Sequence, residues 1–315
     1  MQFDKSLNAF NKQDLLKAAE EEFGETPELL SSSLTSIREW LFKSPHLHSI
    51  RTDDEFLTSF LRGCKFSLER TKEKLDNFHA VKTCIPEWFA NWDPFDSAIQ
   101  EILDAGICLP LPGYDKEGRC VILNLPGNVN PSKMKLDDLM RATIMVMTLA
   151  RKNNEQADIR GFVVIQDLEG IKPSHLTLFD LAVVQKLKTM GKKAWPVRPK
   201  GAHILNKPSI LDAIGRIISS HQEKKLRERN SVHLPGDLSK LHEELGMEIL
   251  PEEYGGTNGN VDELRIYWKK EVEKNRDWLI AQTQFKTDEK KRRGCTKLPL
   301  DILGMEGSFR KLNVD

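Results

Sequence analysis

Two short apolar runs, GFVVIQ at residues 161–166 and GAHILN at residues 201–206, indicate the fold class of this chain. Short runs of β-branched and aliphatic residues are typical of strands in a buried sheet. Residues 136–152, before the first run, and residues 176–190, between the two runs, have helical periodicity. Strands that alternate with helices predict a largely parallel sheet with helices packed on its faces.

On the N-terminal side, residues 107–111 and 119–125 are two more strand-like runs, joined by a turn at residues 114–118. Residues 12–92 have a helical pattern that is interrupted by glycine and proline. Within it, Asp53 and Ser67 suit the first positions of two helices. The sequence therefore predicts an α/β fold, with a helical N-terminal domain at residues 1–95 and a mixed, mostly parallel sheet flanked by helices at residues 96–282.

The C-terminal part of the chain is strongly charged. Residues 262–282 have the pattern of a helix that carries Leu264, Trp268, Val272 and Leu279 on one side. Residues 283–315 include the basic run 290–293 and have low hydrophobicity, which is typical of weakly ordered segments. We therefore expect a C-terminal helix followed by a weakly ordered tail.

The composition is that of an ordinary globular protein, with 39% hydrophobic and 30% charged residues among 315. The 47 basic residues balance the 47 acidic residues, which argues against a dedicated nucleic-acid-binding protein. The acidic N-terminal segment does not have the pattern of a signal peptide, and the longest apolar stretch, residues 142–150, is too short to span a bilayer. These features predict a cytoplasmic monomer whose contact with membranes is transient and peripheral.

The chain carries none of the common sequence motifs of catalysis or of cofactor or metal binding. The chain has no G-x-x-x-x-G-K-[ST], G-x-S-x-G, H-E-x-x-H or strand-linked G-x-G-x-x-G pattern, and its five cysteines include no C-x-x-C pair. Asp167 follows a predicted strand, but no nucleophile or base stands beside it, so we interpret it as a turn-bonding carboxylate. His203, inside an apolar strand, is interpreted as a hydrogen-bonded core residue. We expect reduced thiols, no cofactor, no metal and no enzyme activity.

Positive charge is concentrated in one part of the sequence. Residues 181–229 contain twelve basic and three acidic residues, a net charge of +9, and the remainder of the chain carries the balancing −9. Such an uneven distribution orients a molecule toward an anionic surface, and each basic residue near a lipid surface contributes about 1 kcal/mol. A solvated charged face is the alternative interpretation.

An amphipathic segment follows Pro208, with Ile210, Leu211, Ile214, Ile217 and Ile218 on one stripe. The stripe runs directly into the basic residues Lys224, Lys225, Arg227 and Arg229. An apolar stripe with a basic end is typical of helices that lie in a membrane interface, although most amphipathic helices face a protein core. Both interpretations remain open from the residues alone.

Four separated motifs resemble the CRAL-TRIO family of lipid-transfer proteins, and within it the tocopherol and retinaldehyde carriers. They are FLRGCKF (60–66), DLEG (167–170) with Ser174 and His175, GAHILNKP (201–208) and LPEEYGG (250–256), and the resemblance covers residues 12–280. It implies a hydrophobic pocket enclosed by the sheet and its helices, with the stripe of Ile210, Ile214 and Ile218 at the position of a mobile lid.

The resemblance also assigns candidate positions lining the lipid pocket, for each of which core packing is the alternative. They are Met140, Thr143, Met147, Phe162, Gln166, Phe179, Leu187, Met190, Trp195 and Ala202. Gln166 is informative because an amide among apolar neighbours needs a partner, which a ligand hydroxyl or carbonyl can supply. Gly191 stands where a larger apolar residue is common in tocopherol carriers, which implies a pocket of altered shape.

A basic cleft for phosphoinositides is the last feature that the resemblance implies. The matching residues are Arg198, Lys200, Lys225 and Arg229, whereas a further basic position of the family is Cys64 here, beside Lys65. The function implied is a carrier that binds a hydrophobic lipid, an isoprenoid such as a tocopherol, retinoid or carotenoid, and transfers it at anionic, phosphoinositide-containing membranes. The alternative is a phosphoinositide-binding membrane-trafficking adaptor.

Overall fold

The structure is a computed structural model that describes residues 3–178, 181–209 and 228–294. Nine residues that the sequence singled out lie outside these ranges: Phe179, Ile210, Leu211, Ile214, Ile217, Ile218, Lys224, Lys225 and Arg227. Their predicted roles therefore remain predictions.

Six helices form the N-terminal part of the described chain. They are α1 (Lys12–Phe23), α2 (Pro27–Phe42), α3 (Asp54–Gly63), α4 (Leu68–Cys84), α5 (Pro86–Phe89) and α6 (Ser97–Ala105). The predicted start at Asp53 is confirmed, since its side chain accepts a hydrogen bond from the backbone N–H of Phe56 at 3.1 Å. Phe60 and Leu75 are fully buried between α3 and α4, and each such side chain contributes about 1.5–3 kcal/mol by leaving water.

A five-stranded sheet follows, in the order β1-β2-β3-β4-β5. The strands are β1 (Cys108–Pro110), β2 (Cys120–Asn124), β3 (Phe162–Asp167), β4 (Pro199–Leu205) and β5 (Asn230–Val232). Strand β1 is antiparallel to β2, and the other neighbours are parallel. The predicted α/β fold with a mixed, mostly parallel sheet is confirmed, while the short strand β5 was not predicted.

Helices cover both faces of this sheet. They are α7 (Leu136–Ala150), α8 (Glu155–Arg160), α9 (Leu181–Thr189), α10 (Ser239–Leu245), α11 (Val261–Lys274) and α12 (Arg276–Gln282). We call the side of Val163 and Ile165 the back face, which packs on Leu241 and Leu245 of α10. The opposite side, with Phe162, is the front face and packs toward α7. None of the helices in the described ranges has the length and hydropathy to cross a bilayer.

Two predicted helices differ in detail from the observed ones. The predicted helix 262–282 is divided at Asn275, whose backbone N–H closes α11 by bonding the carbonyl of Glu271 at 3.2 Å. The predicted helix 176–190 begins as a 3₁₀ turn, Pro173–Leu178, and its end continues as a wider π-helical turn over Met190–Ala194. In the helical region 262–282 the predicted inward residues Leu264, Val272 and Leu279 are buried, so its apolar side is as predicted and its boundaries change.

Residues 283–294, which the sequence predicts to be weakly ordered, make specific contacts with the N-terminal helices. Arg292 donates two hydrogen bonds of 2.7 Å to the carboxylate of Asp76 on α4. Thr287 is buried, and its hydroxyl lies 2.8 Å from that of Thr83. This segment is held by polar contacts with distant residues, which low local hydrophobicity does not reveal. Residues 295–315 lie outside the described ranges.

Candidate functional site

Asp167, at the end of β3, joins three parts of the fold. Its carboxylate accepts hydrogen bonds from the backbone N–H of Glu169 at 3.0 Å, the side chain of Asn206 at 2.9 Å and the hydroxyl of Tyr254 at 2.8 Å. Burial and the bond to Asp167 raise the pKa of Tyr254, so this hydroxyl stays protonated as the donor. The interpretation of Asp167 as a structural carboxylate is confirmed, and the DLEG and LPEEYGG motifs meet at it.

His203 on the back face of β4 is also structural, as predicted. It is buried, its Nδ1 lies 3.0 Å from Nε2 of His233, and its Nε2 lies 3.4 Å from the carboxylate of Glu244. Burial lowers the pKa of His203 to about 4, which keeps the ring neutral near pH 7. Each nitrogen of the neutral His203 ring therefore has a polar partner, as a histidine in a protein core requires.

The front face of the sheet brings three of the predicted pocket positions together. Phe162 and Gln166 alternate on β3 with buried residues, and the register pairs the intervening Val164 with Ala202 on β4. Phe162, Gln166 and Ala202 are all half-buried, whereas Val163 and Ile165 on the back face are buried. The two faces of one sheet therefore differ in how completely the described residues cover them.

Gln166 has one side-chain hydrogen bond within the described residues. Its Oε1 accepts from Nδ2 of Asn124 at a long 3.4 Å, and the register places Asn124 beside it on β2. The NH₂ group has no partner in the described part of the chain, so it can donate to a ligand carbonyl or hydroxyl. The prediction that Gln166 supplies a polar contact in an apolar surrounding fits this geometry.

Helices α7 and α9 supply apolar side chains on the same side of the sheet. Met140, Met147, Leu187 and Met190 are half-buried and pack against the same core cluster as Phe162. Thr143 is half-buried too, but it also lines a separate narrow cleft of about 10 Å³ together with Ile102 and Trp268. A ligand contact is thus better supported for Met140 and Met147 than for Thr143.

Gly191 and Trp195 follow α9. A Cβ atom placed on Gly191 would meet no heavy atom of the described residues within 4 Å, so this position borders open space among them. Trp195 is buried and packs edge-on against Phe78, with 6.3 Å between the ring centroids. The structure therefore places Trp195 against the N-terminal helices.

A row of arginines marks the edge of the sheet at which the parallel strands begin. Arg119, Arg198 and Arg229 directly precede β2, β4 and β5, and Arg160 stands two residues before β3. Because parallel strands start at the same edge, the four guanidinium groups belong to one region of the surface. Of these, only Arg198 and Arg229 were predicted site residues.

A cleft of about 290 Å³ lies at this edge. Phe10, Glu22, Lys116, Glu117, Arg119, Arg160 and Lys200 line it. Its basic residues outnumber its acidic ones, and Nε of Arg160 is buried without a partner among the described residues. Sequence reasoning missed Lys116, Arg119 and Arg160, although an arginine ahead of each strand was a signal that could have found two of them.

Glu22 on α1 neutralises part of this cleft. Its carboxylate accepts from Arg198 at 2.6 Å and from Lys200 at 3.2 Å, and Arg198 also lies over the ring of Phe23, 4.6 Å from its centroid. Burial opposes ionisation of Glu22, but the hydrogen bond and positive charge of Arg198 outweigh it and lower the pKa of Glu22. Burial lowers the pKa of Lys200, as do the positive charges of Arg198 and Arg229.

The structure thus places Arg198, Lys200 and Arg229 at one edge of the sheet, and their role in binding phosphoinositides stays a prediction. Cys64 is buried, and burial raises the pKa of its thiol, so it supplies no charge. Lys65 beside it is exposed. The basic residues of the cleft come from the loop before β2, from α8 and from the strand starts, which departs from the family pattern at position 64.

Comparisons with protein families agree with this architecture. Residues 104–256, which hold the whole sheet, match the model of the CRAL/TRIO domain. Residues 26–99 match the model described as a Pinta-like UBA domain. The two matches divide the chain near the boundary between the N-terminal helices and the sheet.

Individual relatives match over most of the chain. It is 32% identical over 250 residues to alpha-tocopherol transfer protein-like of Mus musculus, covering 79% of this chain and 72% of that protein. It is 27% identical over 252 residues to clavesin-1 of Mus musculus, covering 80% and 70%. The solved structure of Sfh5 aligns with a TM-score of 0.47 at 13% identity, covering 82% of this chain and 96% of that chain.

Proposed function

Because this chain belongs to the CRAL-TRIO family, we propose that it is a carrier that binds a hydrophobic lipid and transfers it at anionic membranes. The lipid lies between the front face of the sheet and the apolar sides of α7 and α9. An isoprenoid such as a tocopherol, a retinoid or a carotenoid has the required apolar body, and Gln166 can bond its polar group. The relative named for tocopherol transfer supports this ligand class.

The observation that supports the proposal most directly is the difference in side-chain burial between the two faces of β3. On the back face Val163 and Ile165 are fully packed, whereas Phe162 and Val164 on the front face are only half-buried. Apolar side chains in the interior of a fold are normally close-packed. A front face that the described residues pack incompletely is suited to an apolar ligand.

Binding of such a lipid needs no covalent bond to the protein. A lipid of 20 to 30 carbons buries several hundred Å² of apolar surface, which at about 25 cal/mol per Å² is a gross gain on the order of 10 kcal/mol. Ordering the lipid and the residues around it opposes this gain. The net affinity is enough for a carrier that both loads and releases its ligand.

The membrane step uses the basic cleft at the strand starts. Arg119, Arg160, Arg198 and Arg229 lie along one edge, and an unpaired basic residue near an anionic leaflet contributes about 1 kcal/mol. Arg119 contributes less, because Asp115 already binds it at 2.6 Å. The phosphate groups of a phosphoinositide compete with Glu22 for Arg198 and Lys200, because a phosphate monoester carries up to two charges and three acceptor oxygens. Docking at this edge is therefore electrostatic and is weakened by salt.

Native mass spectrometry of the chain purified from its own tissue, together with a vesicle-to-vesicle transfer assay, tests the proposal. We expect one isoprenoid per chain and transfer that is faster to phosphoinositide-containing vesicles than to neutral ones. An empty pocket or a mixture of lipids, together with tight vesicle binding and no transfer, would contradict the carrier and favour the trafficking adaptor.

A further inference from the structure

A cavity of about 80 Å³ lies where the N-terminal helices meet α7 and α12, and it is built differently from the candidate lipid site. Eight aromatic side chains line it, among them Phe78, Trp92 and Trp278. Of the predicted pocket residues that the structure describes, only Trp195 is part of its wall. It is therefore a separate site.

Lys82 is the unusual member of the cavity wall. Its side chain is 6% exposed, and its ammonium group donates a 2.6 Å hydrogen bond to the carbonyl of Gln282. It also lies 5.6 Å from the ring centroid of Phe78 and 5.9 Å from that of Trp92. In the described ranges no carboxylate lies within 4 Å of it, although buried charges are normally paired.

The other charged residues that line the cavity already have partners. Arg51 binds Asp53 at 2.7 Å, and Arg151 binds Asp158 at 2.6 Å, a residue that also lines the cavity. Glu55 is exposed and accepts from a backbone N–H at 2.9 Å. Lys152 donates to the side chain of Asn275 at 3.0 Å. Lys82 is thus the buried cationic side chain of this wall without a paired carboxylate among the described residues. Burial and the positive charges of Arg51 and Lys286 lower the pKa of Lys82 to about 7, so a bound carboxylate would stabilise its ammonium form.

Two more buried polar atoms belong to side chains of the same wall. His79 is fully buried, and its Nδ1–H donates to the carbonyl of Phe285 at 3.1 Å, whereas its Nε2 has no partner among the described residues. The indole Nε1–H of Trp195 is likewise without a described partner, in a side chain that is 8% exposed. Buried polar atoms nearly always have partners, so each such exception requires an explanation.

We propose that this cavity binds a short-chain aliphatic carboxylate. The carboxylate accepts hydrogen bonds from Lys82 and from the Trp195 indole, and the aliphatic chain packs on the aromatic rings. The size supports a short chain, because one water molecule needs roughly 10–15 Å³ of such a cavity, so about 80 Å³ accommodates about six non-hydrogen atoms, the number in butyrate. This site goes beyond the lipid carrier function and does not depend on it.

Titration of the full chain with butyrate, followed through the indole ¹H–¹⁵N resonances of its six tryptophans, tests the proposal. Trp195→Phe identifies the Trp195 resonance. We expect butyrate to shift that resonance, and expect butyramide, which has the same shape and no charge, to bind at least tenfold more weakly. Benzoate, which is too large for the cavity, should not compete.

Lys82→Met retains most of the side-chain volume and removes the ammonium group. We expect it to weaken butyrate binding by at least tenfold, because the variant cannot donate a charge-assisted hydrogen bond to the carboxylate. Lys240→Met, on an exposed lysine that does not line the cavity, is the matched control and should bind as the wild type does. Equal binding of butyrate and butyramide, no shift of Trp195, or unchanged affinity in a folded Lys82→Met variant would each overturn the proposal. The comparison of the two ligands on the wild-type chain holds even if the variant does not fold.

Discussion

Glu22 on the first helix binds Arg198 immediately ahead of β4, with 2.6 Å between the carboxylate and the guanidinium. The contact is reinforced by Lys200 at 3.2 Å and by the packing of Ala18 and Ala19 against Ile159 of α8. The N-terminal helix thus supplies an internal anion at the place where the proposed function requires an external one. On the proposed function, membrane docking at this edge is therefore coupled to the position of α1.

Replacing this internal anion should strengthen membrane docking. In Glu22→Gln the charges of Arg198 and Lys200 are no longer neutralised, and at about 1 kcal/mol per charge the affinity for anionic vesicles should rise roughly fivefold at low salt. Vesicle co-sedimentation measures the change. Glu101→Gln, on the exposed face of α6, controls for the change in net charge. Equal affinity of Glu22→Gln and the wild type would show that the ion pair does not compete with lipid headgroups.

Reversing one exposed charge of the row should weaken docking. Arg229 is exposed, so Arg229→Glu should leave the fold intact and lower the affinity for anionic vesicles by about tenfold or more at low salt. Raising the salt concentration should reduce this difference, since the screening length is about 8 Å at physiological ionic strength. Lipid affinity in solution should not change. Lys270→Glu, on the exposed side of α11, is the control and should bind vesicles more tightly than Arg229→Glu does.

A charge on α7 should abolish lipid loading. Met147 is half-buried against the front-face cluster, so Met147→Arg places a guanidinium where the apolar lipid would pack, which is unfavourable without a partner. Extraction of bound lipid followed by mass spectrometry measures loading. Met247→Arg, at a methionine that is 46% exposed, is the control. Normal loading of a folded Met147→Arg variant would remove Met147 from the pocket.

Substitutions at Gly191 test whether the absence of a side chain there alters the shape of the lipid pocket. Because a Cβ there meets nothing within 4 Å, Gly191→Ala should be tolerated, with a change in the free energy of unfolding of no more than about 1 kcal/mol. Gly191→Leu should shift the preference toward smaller lipids, since the larger side chain fills open space. A competition assay with isoprenoids of different length measures this preference. If the order of affinities is the same in both variants, Gly191 lies outside the pocket.

Acid should destabilise the fold through His203. The pKa of His203 is about 4 in the folded chain, against about 6.5 for an unperturbed histidine. Between these values the unfolded chain binds a proton that the folded chain does not, so the free energy of unfolding falls as the pH falls from about 6.5 to 4. Urea unfolding at several pH values should show a smaller fall for His203→Gln. His48→Gln, at an exposed histidine, should retain the wild-type pH dependence.

Local patterns predicted the elements of this fold better than its distant contacts. The apolar runs at residues 161–166 and 201–206 and the helix start at Asp53 are local signals, and the structure confirms them. Strand β5 has only three residues and no apolar run, and it exists because the edge of β4 pairs with it. The hydrogen bond from the backbone of Asp4 to Asn258 likewise joins residues that no sequence window contains together.

In the candidate site, too, local sequence motifs predicted some residues, whereas their distant contacts were not predicted. Arg198 and Lys200 were predicted from a motif, but Glu22 lies more than 170 positions earlier, and nothing in its own helix marks it as their partner. Lys82 was overlooked because a single lysine on a helix is usually exposed. Only the packing of α4 against α12 shows that its ammonium group is enclosed.

The order of the strands has a consequence for synthesis on the ribosome. Because the spatial order of the five strands is also their order along the chain, each strand can join the edge left by its predecessor as the polypeptide emerges. Arg292, in contrast, reaches back 216 positions to Asp76 on α4. The N-terminal helices therefore gain this last tether only when almost the entire chain has left the exit tunnel, and a nascent protein halted before residue 292 lacks it.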